Sequence, residues 1–371
     1  MLRRRGTRRV CNGGKVMRKS HILLVSAAIL LCCEPSHTGP VKIDNTNDPV
    51  QLCSFELPIT AEFRGTNFAW IAPPSGDLFY TWNGGGNWSE IGKDTIGGFL
   101  MLRFADENNG WAINWSGQLW KTENGGQSWY RLGDDSDPSI PSFAPAEDFK
   151  FIDKLHGWVL GPFQIWRTAD GGLTWQTYSP PTYYGLASSF FLDPYEGWIG
   201  CGYGIVYHIE NGGERWEEVM PGPEKNKASE EIEFTDIFFI SKNVGWVMGV
   251  RGELFRTLDG GKNWRPLSFS IPGEGWFINS IYFLNKNEGW AVGWGPDNNV
   301  YENKGGIVLH TADGGVSWKE VDIQHSKSFY ELVHFSDSQN GWVLSRRNVY
   351  RTVDGGKTWG NVLQLPPPPP L

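Results

Sequence analysis

Short stretches in which apolar and polar residues alternate with a period of two run along most of the chain, separated by clusters of Gly, Asn and Asp. Residues 276–323 show the unit. Positions 278–283 alternate as one strand, 290–293 and 306–311 follow as a second and third, and 318–321 form a fourth. Alternation bounded by turn residues predicts half-buried β-strands rather than helices. Between the third and fourth strands stands a box of eight residues. It appears first as Thr81-Trp82-Asn83-Gly84-Gly85-Gly86-Asn87-Trp88 and returns at 122–129, 168–175, 209–216, 257–264, 311–318 and 352–359. The closing tryptophans are spaced 41, 46, 41, 48, 54 and 41 residues apart. A period of this length marks a repeat architecture. A second mark precedes each box: Trp70, then Gly-Trp pairs ending at Trp111, Trp158, Trp198, Trp246, Trp290 and Trp342.

The composition of the box suits a tight turn. Its Gly pair reaches positive φ without a steric cost. The Thr hydroxyl and the Asp or Asn side chain can bond the turn's own backbone, and the Trp supplies apolar surface for packing between units. Thr168-Ala169-Asp170-Gly171-Gly172-Leu173-Thr174-Trp175 and Thr352-Val353-Asp354-Gly355-Gly356-Lys357-Thr358-Trp359 resemble the Asp-box, or bacterial neuraminidase repeat. Asp259 and Asp313 hold the same position in two more copies, Asn83, Asn124 and Asn211 replace the acid in three, and Ile209 replaces the Thr in one. The resemblance covers residues 60–365. It implies an all-β fold: a seven-bladed β-propeller of four-stranded antiparallel blades, with the box as the turn between strands 3 and 4. An open β-solenoid and two smaller bodies are the alternatives. Gly-Trp ahead of each box, seven regular units and an export-type N-terminus together resemble the photosystem II assembly and stability factor family. That resemblance implies a non-catalytic propeller that binds a partner protein during assembly. Sialidases, xyloglucan hydrolases and sortilin-type receptors carry the box as well.

Charge narrows the partners. Residues 1–32 hold eight basic residues and no acid, so from Cys33 onward 25 basic residues face 41 acidic ones, a balance of −16. So acidic a body repels a phosphate backbone, and nucleic acid is not an expected partner. Met17-Arg18-Lys19 followed by an apolar run over 22–31 reads as an export signal, too short to span a bilayer as an ordinary helix. It ends at Cys32-Cys33 and resembles a bacterial lipoprotein signal, with Cys33 as the lipidated residue and secretion or an uncleaved anchor as alternatives. The expected organisation is a signal over 1–33, a polar tether over 34–50, a propeller over 51–365 and a Pro-rich tail over 366–371. The expected location is the bacterial cell envelope, with a lipid anchor as the only membrane contact. The seven His show no metal-ligand spacing, no nucleophile elbow occurs, and no metal or cofactor is expected. Cys53 and Cys201 fall on opposite sides of the expected ring, and no disulfide between them is expected.

What recurs in every blade serves the fold, so function is sought where blades differ. The box positions Asn83, Asn124, Asp170, Asn211, Asp259, Asp313 and Asp354 are therefore read as structural. Propeller connectivity puts the boxes on one face and the long irregular loops on the other. On this variable face the candidate binding residues are Trp115, Tyr183, Tyr184, Tyr203, Trp276 and Trp294, which suit stacking on a sugar or a protein hot spot. Arg251, Arg346 and Arg347 join them and can clamp a carboxylate. The blander reading is that the aromatics fill gaps between blades and the arginines form surface ion pairs. The partner is expected to be a protein or a glycan. The enzymatic alternative is a glycoside hydrolase: Tyr195-Glu196, Tyr301-Glu302 and Tyr330-Glu331 offer a sialidase-like pair, and Asp134, Asp135, Asp137, Glu274 and Asp297 offer loop carboxylates. Against a sialidase, Phe63-Arg64-Gly65-Thr66 lacks the Ile-Pro of that family's Phe-Arg-Ile-Pro element.

Overall fold

The alternating segments form seven four-stranded antiparallel sheets, each made of four consecutive strands. The computed structural model describes residues 59–367 apart from 93–95, 134–139, 183–184, 220–231, 233, 250–251, 270–276, 295–305 and 324–328. The expected signal and tether, Cys33 included, lie outside the described residues, as do residues 368–371 of the tail. Blade 5 shows the pattern, with Phe234–Phe239, Gly245–Gly249, Leu254–Thr257 and Trp264–Leu267 paired in that order. Blades 1 to 7 span residues 60–91, 99–131, 148–178, 186–218, 234–267, 277–320 and 330–364. First strands of successive blades contact one another, which puts them innermost around the axis. The fourth strand of blade 6, Lys319–Glu320, is shorter than the 318–321 read from sequence.

One three-part contact repeats between blades. The second-strand Trp of each blade is fully buried, and at six of the seven junctions it stacks on a Phe that ends the first strand of the next blade. These six pairs, from Trp70–Phe104 to Trp290–Phe335, have centroids 3.5–3.9 Å apart and planes within 4–12°. The other face of the Phe lies on the Gly that precedes its own blade's Trp. A Cβ at Gly157 would stand 2.6 Å from the Phe151 ring, and at Gly341 2.5 Å from Phe335. The Gly of Gly-Trp is thus a cut-out for an aromatic ring. Four of the Trp side chains also tie the ring to the next box: Trp70 donates to Gly125 O at 2.8 Å, Trp111 to Gly171 O at 2.9 Å, Trp198 to Gly260 O at 3.2 Å and Trp246 to Gly314 O at 3.0 Å.

The seam between blades 7 and 1 departs from this rule. Ala69 pairs with Phe63 where the other blades pair Gly with Phe. Its methyl occupies the cut-out, and Phe63 sits 5.3 Å from Trp342 at 30°, leaning on His334 at 5.3 Å and 16°. Burial pushes the His334 imidazole down to about 3, so it is neutral there. No strand crosses the seam among the described residues, and the ring closes through side-chain packing, the Arg351 Nη2 bond to Thr66 O at 3.0 Å and a bond from Ser336 Oγ to Gly65 O.

The Thr and the Asp or Asn of a box bond groups of their own turn. At Asp354, Thr352 Oγ1 donates to Oδ1 at 2.8 Å, Thr358 N to Oδ1 at 2.9 Å and Thr358 Oγ1 to Oδ2 at 2.6 Å, while Gly356 N donates to Thr352 Oγ1 at 2.9 Å. Gly355 and Gly356 have φ of 74° and 84°. Asn83 and Asn124 accept the same backbone bond, from Asn87 N at 2.9 Å and Ser128 N at 3.0 Å. In the fourth box Ile209 brings no hydroxyl. Gly213 N bonds Glu210 O instead, at 3.2 Å, and Asn211 takes a positive φ of 53°.

Two outcomes follow from these contacts. Gly157→Ala should destabilise the protein by roughly 2 kcal/mol, the usual cost of forcing a methyl into a packed core. Gly92→Ala, with nothing within 4 Å of its Cβ position, should be near neutral in the same chemical-denaturation experiment. Hydrogen bonds from Ser317 and Thr358 hold the Asp313 and Asp354 carboxyls at about 2, below their ordinary 3.8. Their stabilising effect is complete above pH 4 and is lost as pH falls toward 2. Unfolding curves of an Asp313→Asn/Asp354→Asn variant should therefore fall less steeply below pH 4 than those of the parent.

Candidate functional site

The two faces of the ring are sorted by hydrogen bonds. In every blade a box Gly N–H donates to a carbonyl of the same blade's strand 1–2 turn, as in Gly84 N to Asn67 O at 2.8 Å and Gly355 N to Gln339 O at 2.9 Å. Boxes and 1–2 turns therefore share one face. On the other, strand 2–3 connections bond the segments that run between blades: Phe143 N to Gly117 O at 3.0 Å, Leu186 N to Pro162 O at 3.0 Å and Gly204 N to Ile232 O at 2.7 Å.

Of the variable-face candidates, Tyr183, Tyr184, Arg251 and Trp276 lie outside the described residues, as do Asp134, Asp135, Asp137, Glu274 and Asp297. Trp115 is half-buried and packs over Gly98, leaving no room for a Cβ there. Tyr203 is 55% exposed on a turn held at φ 62°. Trp294 and Arg346 come together at the blade 6–7 junction. Trp294 stacks on Phe277 at 4.3 Å and meets Phe329 edge-on at 5.4 Å. The Arg346 guanidinium lies 4.9 Å from the Phe329 centroid, with its Nε 3.0 Å from Glu331 Oε1. Phe277 and Phe329 complete this cluster, and the sequence reading named neither. Arg347 is exposed beside it. Arg64 stands at the opposite end of its blade's first strand, in an ion pair with Glu62 at 3.3 Å and bonded to Phe104 O, so it joins no arginine cluster with Arg346 and Arg347. The two described Tyr-Glu pairs also separate. Glu196 on the box face bonds His208 and Lys242, each at 2.9 Å, whereas Glu331 belongs to the variable-face cluster.

The first strands carry two groups of side chains that link successive blades. Phe190, Phe238, Tyr282 and His334 form an aromatic chain with successive centroids 5.6, 5.1 and 4.7 Å apart. In the other, Asp148 Oδ1 meets Arg103 at 3.7 Å and Lys150 at 3.4 Å, while its Oδ2 accepts from Ser189 N and Oγ at 2.8 and 2.7 Å. Next to Asp148, at the variable-face end of blade 3, burial pushes the Glu147 carboxyl up to about 7. Two adjoining cavities open on the box face between blades 1 and 2, of about 570 and 140 Å³. Nothing in the reading of the boxes as structural anticipated them.

The sequence profile described as "Photosynthesis system II assembly factor YCF48" matches residues 138–228 and 223–327, together just over half of the chain. The chain belongs to the YCF48 family. The photosystem II assembly lipoprotein Ycf48 of Synechococcus sp. (strain CC9902) is 28% identical over 177 residues, 47% of this chain and 48% of that protein, so the chain spans about half the length of that relative. Among solved structures, a YCF48 bound to a D1 peptide aligns at TM-score 0.61 with 20% identity, over 80% of this chain and 91% of the other. A GH74 xyloglucanase from Xanthomonas campestris aligns at TM-score 0.63 with 12% identity, over 82% of this chain and 54% of the enzyme. At such identities the structural likenesses establish the propeller fold alone, which the YCF48 family shares with glycoside hydrolases.

Glu147 yields an expectation of its own. A carboxyl whose folded value is raised stabilises the fold fully below its unfolded value near 4.5, and that stabilisation is lost as pH rises through about 7. Glu147→Gln should remove this loss, so the ratio of variant to parent stability should climb between pH 4.5 and 7 in urea unfolding.

Proposed function

We propose that this chain is an exported, lipid-anchored propeller that holds a polypeptide segment of a partner protein during assembly, using the face opposite the boxes. Membership of the YCF48 family carries this reading. The relatives named lipoproteins support anchorage at the cell envelope through Cys33, and the D1 peptide bound by one family member supports a peptide as ligand. The cluster of Phe277, Trp294, Phe329 and Arg346 supports the choice of face. Half-buried aromatics beside an arginine supply the kind of anchor on which protein interfaces concentrate their binding energy. The boxes serve as turns in this reading, since Asp170, Asp259, Asp313 and Asp354 all direct their oxygens to Thr, Ser or Asn groups of their own turn.

Crosslinking and pull-down from native membranes test the proposal. A defined protein partner should be captured. Trp294→Ala combined with Arg346→Ala should reduce capture by about tenfold or more, as loss of a hot spot does, with thermal stability retained. Cys33→Ala should release the protein from the membrane fraction. Turnover of sialosides or other glycans that depends on a variable-face carboxylate would replace the proposal with a glycoside hydrolase.

A further inference from the structure

The box-face cavities arise where two repeated positions depart from the pattern together. The first position is the residue just before each box, which pairs with the second-strand Trp. It is cationic in four blades: Lys121, Arg167, Arg256 and Arg351 lie 5.6, 6.0, 5.3 and 5.2 Å from the centroids of Trp111, Trp158, Trp246 and Trp342. The arginines continue into the next blade. Arg256 Nη2 donates to Lys286 O at 2.7 Å, and Arg351 Nη2 donates to Thr66 O at 3.0 Å. Arg351 also covers the next blade's box, where a Cβ on Gly84 would meet it at 2.7 Å, and Arg167 covers Gly212 at 2.8 Å. Histidines fill the place in blades 4 and 6: His208 bonds Glu196 at 2.9 Å, and His310 lies 5.0 Å from Trp290. Blades 2, 3, 5 and 7 thus each bring a basic side chain of their own to the slot above the following box, beside Gly171, Gly212, Gly314 and Gly84.

Blade 1 does not. Tyr80 stands at this position and turns toward Trp82, 5.6 Å away. The slot above the second box is open as the cavity of about 140 Å³, walled by Phe68, Trp70, Tyr80 and Trp82 and floored by Asn108 and Gly125. Trp82 is 52% exposed, and no other box has an aromatic residue there. The second departure is at the rim. The residue whose carbonyl receives Arg256 or Arg351 in the sister blades is Lys286 or Thr66, and its counterpart here is Glu107. Blades 3, 5 and 6 carry Lys at this place (Lys154, Lys242, Lys286), and blade 2 alone carries an acid. The adjoining cavity of about 570 Å³ adds Asp106 and, on its blade 1 wall, Arg64; against the opposing effect of burial, bonds from Asn109 N and Asn108 N and the Arg64 charge hold the Asp106 carboxyl below its ordinary range.

The geometry points to a receptor for a guanidinium: the slot between blades 1 and 2 takes an arginine side chain presented by a basic segment of a partner protein. That arginine would lie where the sister blades place their own, against aromatic rings and in reach of the Glu107 carbonyl and carboxylate. Aromatic faces attract a cation, and arginine's planar fork can stack on a ring while it donates to oxygens beside it. The larger cavity leaves room for the flanking backbone of the segment. This inference concerns the box face and stands apart from the partner-binding reading of the opposite face.

The test is a titration of the ¹⁵N-tryptophan-labelled protein with acetyl-Gly-Arg-Gly-amide, read at the Trp82 indole N–H, which a Trp82→Phe sample assigns. The expected result is a saturable shift of that resonance, absent with the peptide in which neutral citrulline replaces arginine. Tyr80→Arg, which installs the residue of blades 3, 5 and 7, should weaken binding by about tenfold or more, about 1.4 kcal/mol, by filling the slot from within. Glu107→Lys should weaken it in the same direction and serves if Tyr80→Arg folds poorly. No saturable shift, an equal response to the citrulline peptide, or undiminished binding by these variants would overturn the inference.

Discussion

The ring depends on one aromatic ring fitting between two blades. In six of the seven blades a Phe at the end of the first strand presses one face on the Trp of the preceding blade and the other on a glycine of its own. Dispersion over stacked rings 3.5–3.9 Å apart is short-ranged, and a gap of under an ångström forfeits much of it. Glycine before the Trp is therefore demanded by packing, not by backbone angle. In four blades the same Trp donates its N–H to the next box, so a turn on the rim is registered to the core of its neighbour.

Repetition of this contact leaves few places where a blade may differ, and the differences are informative. Ala69 closes the cut-out at the seam and shifts Phe63 onto a neutral His334. Ile209 removes a hydroxyl and obliges its turn to bond backbone to backbone. Tyr80 removes a basic side chain and opens a slot beside an acid. The first two are absorbed by local rearrangement. The third exposes aromatic surface and carboxylate together, and on the opposite face Trp294 and Arg346 do something similar at the blade 6–7 junction.

The fold was legible because each blade repeats it: strand alternation, the Gly-Trp pair and the box are local signals that seven copies reinforce. The inter-blade Phe was legible as well and went unread. Phe63, Phe104, Phe151, Phe191, Phe239, Phe283 and Phe335 each stand six residues before Ala69 or the Gly of a Gly-Trp pair, a constant spacing that antiparallel pairing turns into contact. The binding faces were harder. Trp294 meets Phe329 across a blade boundary, about 35 positions away, and Arg346 lies on the same Phe329 ring; no local pattern encodes such a meeting. The box-face slot was hidden for another reason: a repeated motif was read as uniformly structural, and the single substitution at Tyr80 that empties it lies just outside the motif.

If the Phe cut-out carries the ring, the junction that lacks it should be the first to open. Native-state hydrogen exchange, resolved by blade, measures this directly. The account predicts that core-strand amides of blades 1 and 7 exchange through an opening of lower free energy than those of blades 3 to 5. Uniform opening around the ring, or first opening at a junction with an intact Trp–Phe–Gly contact, would contradict it.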